Sequence, residues 1–464
     1  MSASLGQIGG YTLLTVLQKG IGLLVLPVTA SHLSLATFGV LEGLVLLMVL
    51  LCLLEASAGA LPRLFVEARG QTGVLLGAAL QLSTLAAILL ALAAWWVLQG
   101  LGLPLYGSVT PLQATLVALV VALNVLLQPL LIWLRIRERM GAFARVVLSQ
   151  CLAQAGTTLT LLQLGWGLDG VLWASVLGHG IALVLALHGC WGQWHWPGRS
   201  PRSAVKTPTP SHWHGRILCY QACLVLASLG VFALHGLDRL LLGQWLGPQS
   251  LAQLAILFKV AEAVALLFAG AELWWQPKRF QVLKQAQGPH QVVQVHLWML
   301  VGLLALAAMA LLSAPWVLPY VLPAEYLDGL GWLPLLMTAL LLKLATSVLD
   351  LGCYLPARPT GLAWINGASA LLALTLYLVL IPALGILGLF VTLNLVYGLR
   401  LALCVWLSQR LCPLPYPWRR TALFSTFAVG LLLWQPGVLL ALLSGLILAV
   451  LLGGQRQSTL GGEA

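Results

Sequence analysis

Apolar segments of about 20 residues recur along the whole chain, and this repetition constrains the fold more than any other feature. Residues 74–98 and 112–134 are two examples. A helix of about 20 apolar residues crosses a hydrocarbon core about 30 Å thick. Only 8% of the 464 residues are charged, against roughly 25% in soluble domains. The segments lack the alternating polarity of barrel strands, so the sequence predicts an all-α integral membrane protein.

Hydropathy and charge together predict a topology of about fourteen transmembrane helices. The predicted spans are residues 11–28, 40–54, 74–98, 112–134, 146–164, 171–187, 217–234, 254–274, 297–316, 333–351, 362–381, 386–407, 421–434 and 438–452. With the N-terminus inside, 18 of the 23 basic residues fall in cytoplasmic loops. Such asymmetry predicts cytoplasmic N- and C-termini in an inner (plasma) membrane. The basic residues form no patch with interleaved aromatic residues, so nucleic acid is not an expected partner.

Two matched landmarks indicate an internal repeat. Pro62-Arg63-Leu64-Phe65 is matched by Pro277-Lys278-Arg279-Phe280, 215 residues later, and Gly167-Leu168-Asp169-Gly170 by Gly385-Ile386-Leu387-Gly388, 218 residues later. We therefore expect two parallel six-helix repeats around a central cavity. The predicted domains are an N-terminal six-helix bundle (1–191), a cytoplasmic basic linker rich in proline (192–215), a C-terminal six-helix bundle (216–409), and two additional helices with a short cytoplasmic tail (410–464).

Charged side chains within predicted spans are the candidates for a functional site, because charge is costly inside lipid. Lys19 lies in the first span, where Gly20, Gly22 and Pro27 would allow the helix to bend or unwind. Either a substrate or an acid on a neighbouring helix would compensate its charge.

Lys343 lies in the tenth span, seven residues before Asp350 on the same helix face. It would face either a wet cavity or a partner. Arg400 lies nearer the cytoplasmic end of its span, where its side chain could extend to water instead.

Three further groups have a structural alternative to a functional role. Lys259 and Glu262 have the i, i+3 spacing of an intrahelical ion pair, and they could equally bind a ligand or a proton. Asp238 and Arg239, at the outer end of the seventh span, are expected to orient a loop. The eight cysteines form no CxxC pair of the kind that binds zinc or carries redox chemistry, and the sequence predicts no metal and no cofactor.

Four segments resemble the multidrug/oligosaccharidyl-lipid/polysaccharide (MOP, MATE-like) exporter superfamily, and most closely its Wzx-type polysaccharide flippase branch. They are LQKGIGLLVLPVTASHLSLATFGVLEG from Leu17, LDRLLLGQWLGPQSLAQLAILFKVAE from Leu237, WWQPKRF from Trp274 and LIPALGILGLF from Leu380. Ala252-Gln253-Leu254 departs from the Gly-x-Tyr usual in the second segment. The resemblance implies alternating access and an isoprenoid pyrophosphate saccharide as substrate. It also implies that cavity cations face the phosphates, a role open here to Lys19, Lys259, Lys343 and Arg400.

Three functions remain to be compared. The first is a flippase that moves a lipid-linked saccharide to the outer leaflet for O-antigen or other polysaccharide biosynthesis, alongside polysaccharide assembly proteins. The second is a MATE-like drug or cation antiporter, which would use membrane acids such as Glu262 or Asp350. The third is a membrane polymerase or glycosyltransferase, which is disfavoured because the longest predicted outer loops, residues 238–253 and 319–332, are short and carry no paired carboxylates. The expected protein is therefore a transporter and not an enzyme.

Overall fold

The chain is helical throughout the part that the computed structural model describes, and it forms two compact units. The described residues are 2–55, 57–68, 72–193, 211–276, 278–355, 360–434, 436–437 and 442. Unit 1 comprises Met1–Ala252 and unit 2 comprises Gln253–Ala464. The central part of the predicted linker, 194–210, and nearly all of the last predicted span, 438–452, lie outside the described residues. The division into two six-helix bundles stays a prediction.

Unit 1 is built from long apolar helices joined by short turns. These are α1 (Ser2–His32), α2 (Leu35–Leu54), α3 (Ser57–Glu67), α4 (Thr72–Gly100), α5 (Pro111–Ile136), α6 (Met140–Gln163), α7 (Gly167–Gly189), α8 (Ser211–His235) and the first part of α9 (Leu237–Trp275). A capping box between Thr110 and Gln113 starts α5. Helix α5 packs against α4 and α7, and α6 packs against α7 and α1. Trp133 of α5 is fully buried in this unit's core.

Unit 2 continues from α9 with helices of similar length. They are α10 (Arg279–Leu283), α11 (Gly288–Val321), α12 (Leu333–Leu349), α13 (Thr360–Leu384), α14 (Ile386–Leu411) and α15 (Trp418–Trp434), with a 3₁₀ turn at Leu351–Tyr354 after α12. Helix α14 packs against both α12 and α13, and α11 packs against α12. Helix α14 is therefore the central contact of this unit.

The predicted spans agree closely with the helices. The first thirteen each fall on a separate helix, to within two residues. Nine helices among the described residues are long and apolar enough to cross a membrane, as expected of a multi-pass membrane protein. The nine segments are Leu35–Leu54, Thr72–Gly100, Pro111–Ile136, Gly167–Gly189, Leu237–Glu272, Gly288–Val321, Ala324–Leu349, Thr360–Leu384 and Ile386–Leu411.

Two regions expected to be loops are helical. The landmark at Pro62 lies inside α3, where Ala60, Leu61 and Leu64 are buried against α4 and α8, a spacing typical of one helix face. The predicted outer loop 238–253 belongs to α9, which has a kink at Gly247 (φ 85°) and no loop. Pro248 follows the kink directly, and proline is compatible with the first turn of a new helical segment.

The second pair of repeat landmarks has matching backbone geometry. Gly167 (φ 52°) starts α7 and Gly385 (φ 62°) precedes α14, both in the left-handed region that favours glycine. Three residues later, a Cβ on Gly170 would lie 2.9 Å from the Leu161 side chain, and a Cβ on Gly388 would lie 2.0 Å from the Leu380 carbonyl oxygen. The same two requirements, a positive φ and a close approach, therefore recur in both units at the predicted offset.

Candidate functional site

The four candidate cavity cations lie on four different helices: Lys19 on α1, Lys259 on α9, Lys343 on α12 and Arg400 on α14. Lys19 is an exposed side chain of α1, and within the described part of the chain its ammonium group has no ion pair and no hydrogen bond. Helix α1 is continuous through Gly20, Gly22 and Pro27, so the expected unwinding at these residues is not observed. Lys19 is therefore available to a negatively charged group.

Lys259 and Glu262 form the intrahelical pair that their spacing predicts. The Lys259 ammonium lies 3.9 Å from the Glu262 carboxylate, and the two side chains are 26% and 49% exposed. At this distance and exposure an ion pair contributes little, on the order of 0–1 kcal/mol. This weak ion pair therefore leaves both side chains able to form other interactions.

Asp350 forms a salt bridge with Arg279, which the sequence predicts to lie in a cytoplasmic loop. Its carboxylate accepts a hydrogen bond from the Arg279 guanidinium at 3.0 Å, and the two side chains are only 9% and 7% exposed. The same Arg279 nitrogen also donates to the Ser347 carbonyl oxygen at 3.3 Å, and the guanidinium lies 5.3 Å from the centre of the Tyr354 ring. The sequence predicts Arg279 in the cytoplasmic loop between the spans 254–274 and 297–316. Instead, Arg279 is the first residue of helix α10, and its side chain is buried in the protein.

Arg400 has a neutral hydrogen-bond partner. Its Nε donates to the Asn366 side-chain oxygen on α13 at 2.9 Å, and the residue is half-buried. Arg400 is close enough to Asp350 for its charge to act on that carboxylate, yet within the described residues the two share no hydrogen bond. We call Arg279, Asp350, Arg400 and Asn366 the charged hub of unit 2. Lys343 is half-buried on α12, two helical turns before Asp350.

Asp238 and Arg239 lie in helix α9, and not in a loop. Asp238 is fully buried and Arg239 is half-buried. Both belong to unit 1, whereas Lys259, Lys343 and the charged hub belong to unit 2.

A buried aromatic cluster in unit 2 was not predicted. His296 is fully buried on α11, and its Nδ1 lies 2.5 Å from the Tyr416 hydroxyl. The His296 ring also packs edge-on against Trp275. Burial raises the pKa of Tyr416, which keeps its phenol neutral. No sequence signal separates His296 from a solvated histidine, because its partner Tyr416 is 120 residues away.

Unit 2 also contains an apolar cavity of about 320 Å³ between α11, α12, α14 and α15. Its walls are mostly leucine, alanine and valine side chains, with Trp418 and Thr338. Neither Lys343 nor Arg400 lines it. The predicted cations and this cavity are thus separate features of the unit.

Three solved structures place this architecture among known folds. A multidrug resistance MATE family transporter of the MOP superfamily in an outward-facing conformation has a TM-score of 0.54 at 14% identity, with 90% of this chain and 96% of that chain covered. An inward-facing MATE family transporter has a TM-score of 0.54 at 12% identity, with 88% and 96% covered. A MOP superfamily transporter from Pyrococcus furiosus has a TM-score of 0.52 at 13% identity, with 87% and 95% covered.

Nearly the full length of these transporters is matched, so the chain has a MATE-like transporter fold. Neither the protein-family models nor the curated proteins give a match. At identities this low the shared feature is the fold, and the function has to be argued from the charged residues of this chain.

Proposed function

We propose that the chain is a plasma-membrane flippase that moves a lipid-linked, isoprenoid pyrophosphate saccharide from the cytoplasmic to the outer leaflet by alternating access. The observation that carries this proposal is the hydrogen bond from Arg400 to Asn366. A guanidinium within an apolar helix is costly unless its charge is compensated. Its hydrogen-bond partner here is a neutral amide, and the nearby Asp350 carboxylate is hydrogen-bonded to Arg279, so an anionic cargo is the group that would complete the compensation.

The exposed Lys19 also supports an anionic cargo. An ammonium on α1 without an acidic partner among the described residues suits an anion and repels an organic cation. The fold supports alternating access, because MATE family neighbours have been solved in outward-facing and inward-facing conformations. One neighbour, from Pyrococcus furiosus, has a binding pocket of reversed polarity that suggests a different function for that protein. Pocket polarity is accordingly a reasonable criterion for separating functions on this fold.

A MATE-like cation antiporter is the second candidate, and the multidrug transporters among the structural neighbours favour it. It would need a membrane acid that can bind a cation. Asp350 is engaged by Arg279, whereas Glu262 is half-exposed and only loosely paired. Glu262 is therefore the residue on which this alternative depends.

The two functions are separated by substitutions at Lys19 and Glu262 in cells that make a surface polysaccharide. We expect Lys19→Glu to abolish surface glycan and to leave the lipid-linked saccharide on the cytoplasmic leaflet, as measured by mass spectrometry and surface labelling. Lys19→Arg, which keeps the charge, is the matched control and should retain export. Normal surface glycan with Lys19→Glu, together with drug efflux that is lost in Glu262→Gln, would replace the flippase with the antiporter.

A further inference from the structure

The arrangement of the charged hub assigns different roles to its two arginines. Arg279 is 7% exposed on its side chain and contacts the Asp350 carboxylate directly. Arg400 is half-buried and hydrogen-bonds through Nε to Asn366 alone. Both guanidinium groups act on Asp350 electrostatically. A single carboxylate therefore lies near two cations and is hydrogen-bonded to only one of them.

Local backbone packing fixes Asp350 in this position. Asp350 ends α12, and the 3₁₀ turn that follows it is held against α14 by a hydrogen bond from the Gly352 amide to the Ser408 hydroxyl at 2.9 Å. A Cβ on Gly352 would lie 2.2 Å from the Ser408 carbonyl oxygen, so the turn and α14 are in direct backbone contact. Asp350 is thereby anchored beside α14, the helix that carries Arg400. Without a competing partner, a buried carboxylate at this place would pair with Arg400.

The geometry of Arg400 leaves one edge of its guanidinium open. Nε is occupied by Asn366, and within the described residues the two terminal nitrogens have no hydrogen-bond partner. These two nitrogens form the fork that binds a phosphate through two parallel hydrogen bonds. Glu272 is the other acid near Asp350. Its carboxylate accepts a hydrogen bond from Gln276 at 3.2 Å.

We propose that Arg400 binds a phosphate group of the cargo, and that Arg279 and Asn366 are positioning residues that keep Arg400 available. Arg279 holds the Asp350 carboxylate, and Asn366 accepts the hydrogen bond from Arg400 Nε. This inference rests on the proposed function, because it names the residue of unit 2 that meets the pyrophosphate. It also assigns the buried Arg279–Asp350 pair a role beyond packing. Arg279 neutralises the Asp350 carboxylate, which would otherwise compete with the ligand.

The inference is tested by measuring binding of farnesyl diphosphate to the purified full-length protein in detergent. Inorganic pyrophosphate and farnesol serve as separate probes for the two parts of the ligand. We expect Arg400→Gln and Asn366→Asp each to weaken farnesyl diphosphate binding roughly tenfold to a hundredfold, because a charge-assisted contact is lost or an acid now competes for it. Asn366→Gln, which keeps the neutral amide, is the conservative control and should bind as the wild type does.

Arg279→Met provides a second test of this inference. It should weaken binding to the same extent because Asp350 then turns to Arg400, and Arg279→Met/Asp350→Asn should restore binding because the competing charge is gone. A purely structural role for Arg279 would leave the double variant as weak as the single one. If Arg279→Met fails to fold, Asn366→Asp still tests the competition, since it leaves the Arg279–Asp350 pair intact.

The outcomes separate this inference from the proposed function. Wild-type affinity in folded Asn366→Asp or Arg400→Gln overturns the phosphate site, and so does a folded double variant that stays weak. If these variants lose diphosphate binding as expected while the wild type moves no lipid-linked saccharide, the phosphate site stands and the flippase proposal fails. Pyrophosphate binding that depends on Arg400, with no binding of farnesol, would identify the diphosphate as the recognised group.

Discussion

Charged residues at the surface of unit 1 and in the charged hub of unit 2 lie in different environments. In unit 1 the Arg137 side chain, at the end of α5, rests on two aromatic rings: its guanidinium lies 5.2 Å from the centre of the Phe65 ring and 5.0 Å from that of Trp133. Arg216 likewise pairs with Glu67 at the surface. In unit 2 the Arg279–Asp350 salt bridge is buried, and a second arginine, Arg400, hydrogen-bonds to an amide. Surface cations can anchor helix ends at low cost, whereas buried ones need dedicated partners.

The largest effect that this comparison predicts is at the buried pair. Arg279→Met removes the direct ion-pair partner of the buried Asp350 carboxylate, and breaking a buried pair in this way costs about 3–5 kcal/mol in comparable pairs. We expect the largest fall in the midpoint of thermal unfolding for this variant, measured in detergent at constant pH. Arg279→Met/Asp350→Asn should recover most of the loss, because the unpaired charge is gone. An unchanged midpoint in the single variant would mean that the pair is not buried in the folded protein.

The smallest effect is expected at the surface pair of unit 1. Arg216 and Glu67 have side chains that are 39% and 36% exposed, and exposed pairs contribute roughly 0–1 kcal/mol. Arg216→Gln should therefore shift the unfolding midpoint far less than Arg279→Met in the same detergent, and added salt should reduce even that shift. A fall as large as that of Arg279→Met would remove the distinction between the exposed and the buried pair.

The sequence was informative about helices and much less so about partners. Hydropathy placed thirteen spans on the observed helices because the length of an apolar run is a local property. It missed α3, which is only 11 residues long and has a buried face of three apolar residues, Ala60, Leu61 and Leu64. It also misread the start of α9, because Gly247-Pro248 is compatible with either a kink or a loop.

Contacts between distant residues were the part that could not be predicted. Arg279 and Asp350 are 71 residues apart and His296 and Tyr416 are 120 apart, and local periodicity carries no information at those separations. Arg279 lies between the apolar spans 254–274 and 297–316, so the sequence predicts a loop there. Arg400 was correctly identified as a cation within a span, but its amide partner on α13 depends on how α13 packs against α14. The Lys259–Glu262 pair was predictable because both residues share one helix turn.

Transport of a lipid-linked saccharide by the purified protein is the most direct test of this account. The chain would be reconstituted in liposomes with an isoprenoid pyrophosphate saccharide, and exposure of the saccharide on the opposite leaflet would be followed with an impermeant lectin or enzyme. We predict movement with the wild type and with Asn366→Gln, and little or none with Arg400→Gln or Asn366→Asp. Equal movement by all four proteins would contradict the role of Arg400, and absence of movement by the wild type, with uptake of an organic cation instead, would contradict the flippase.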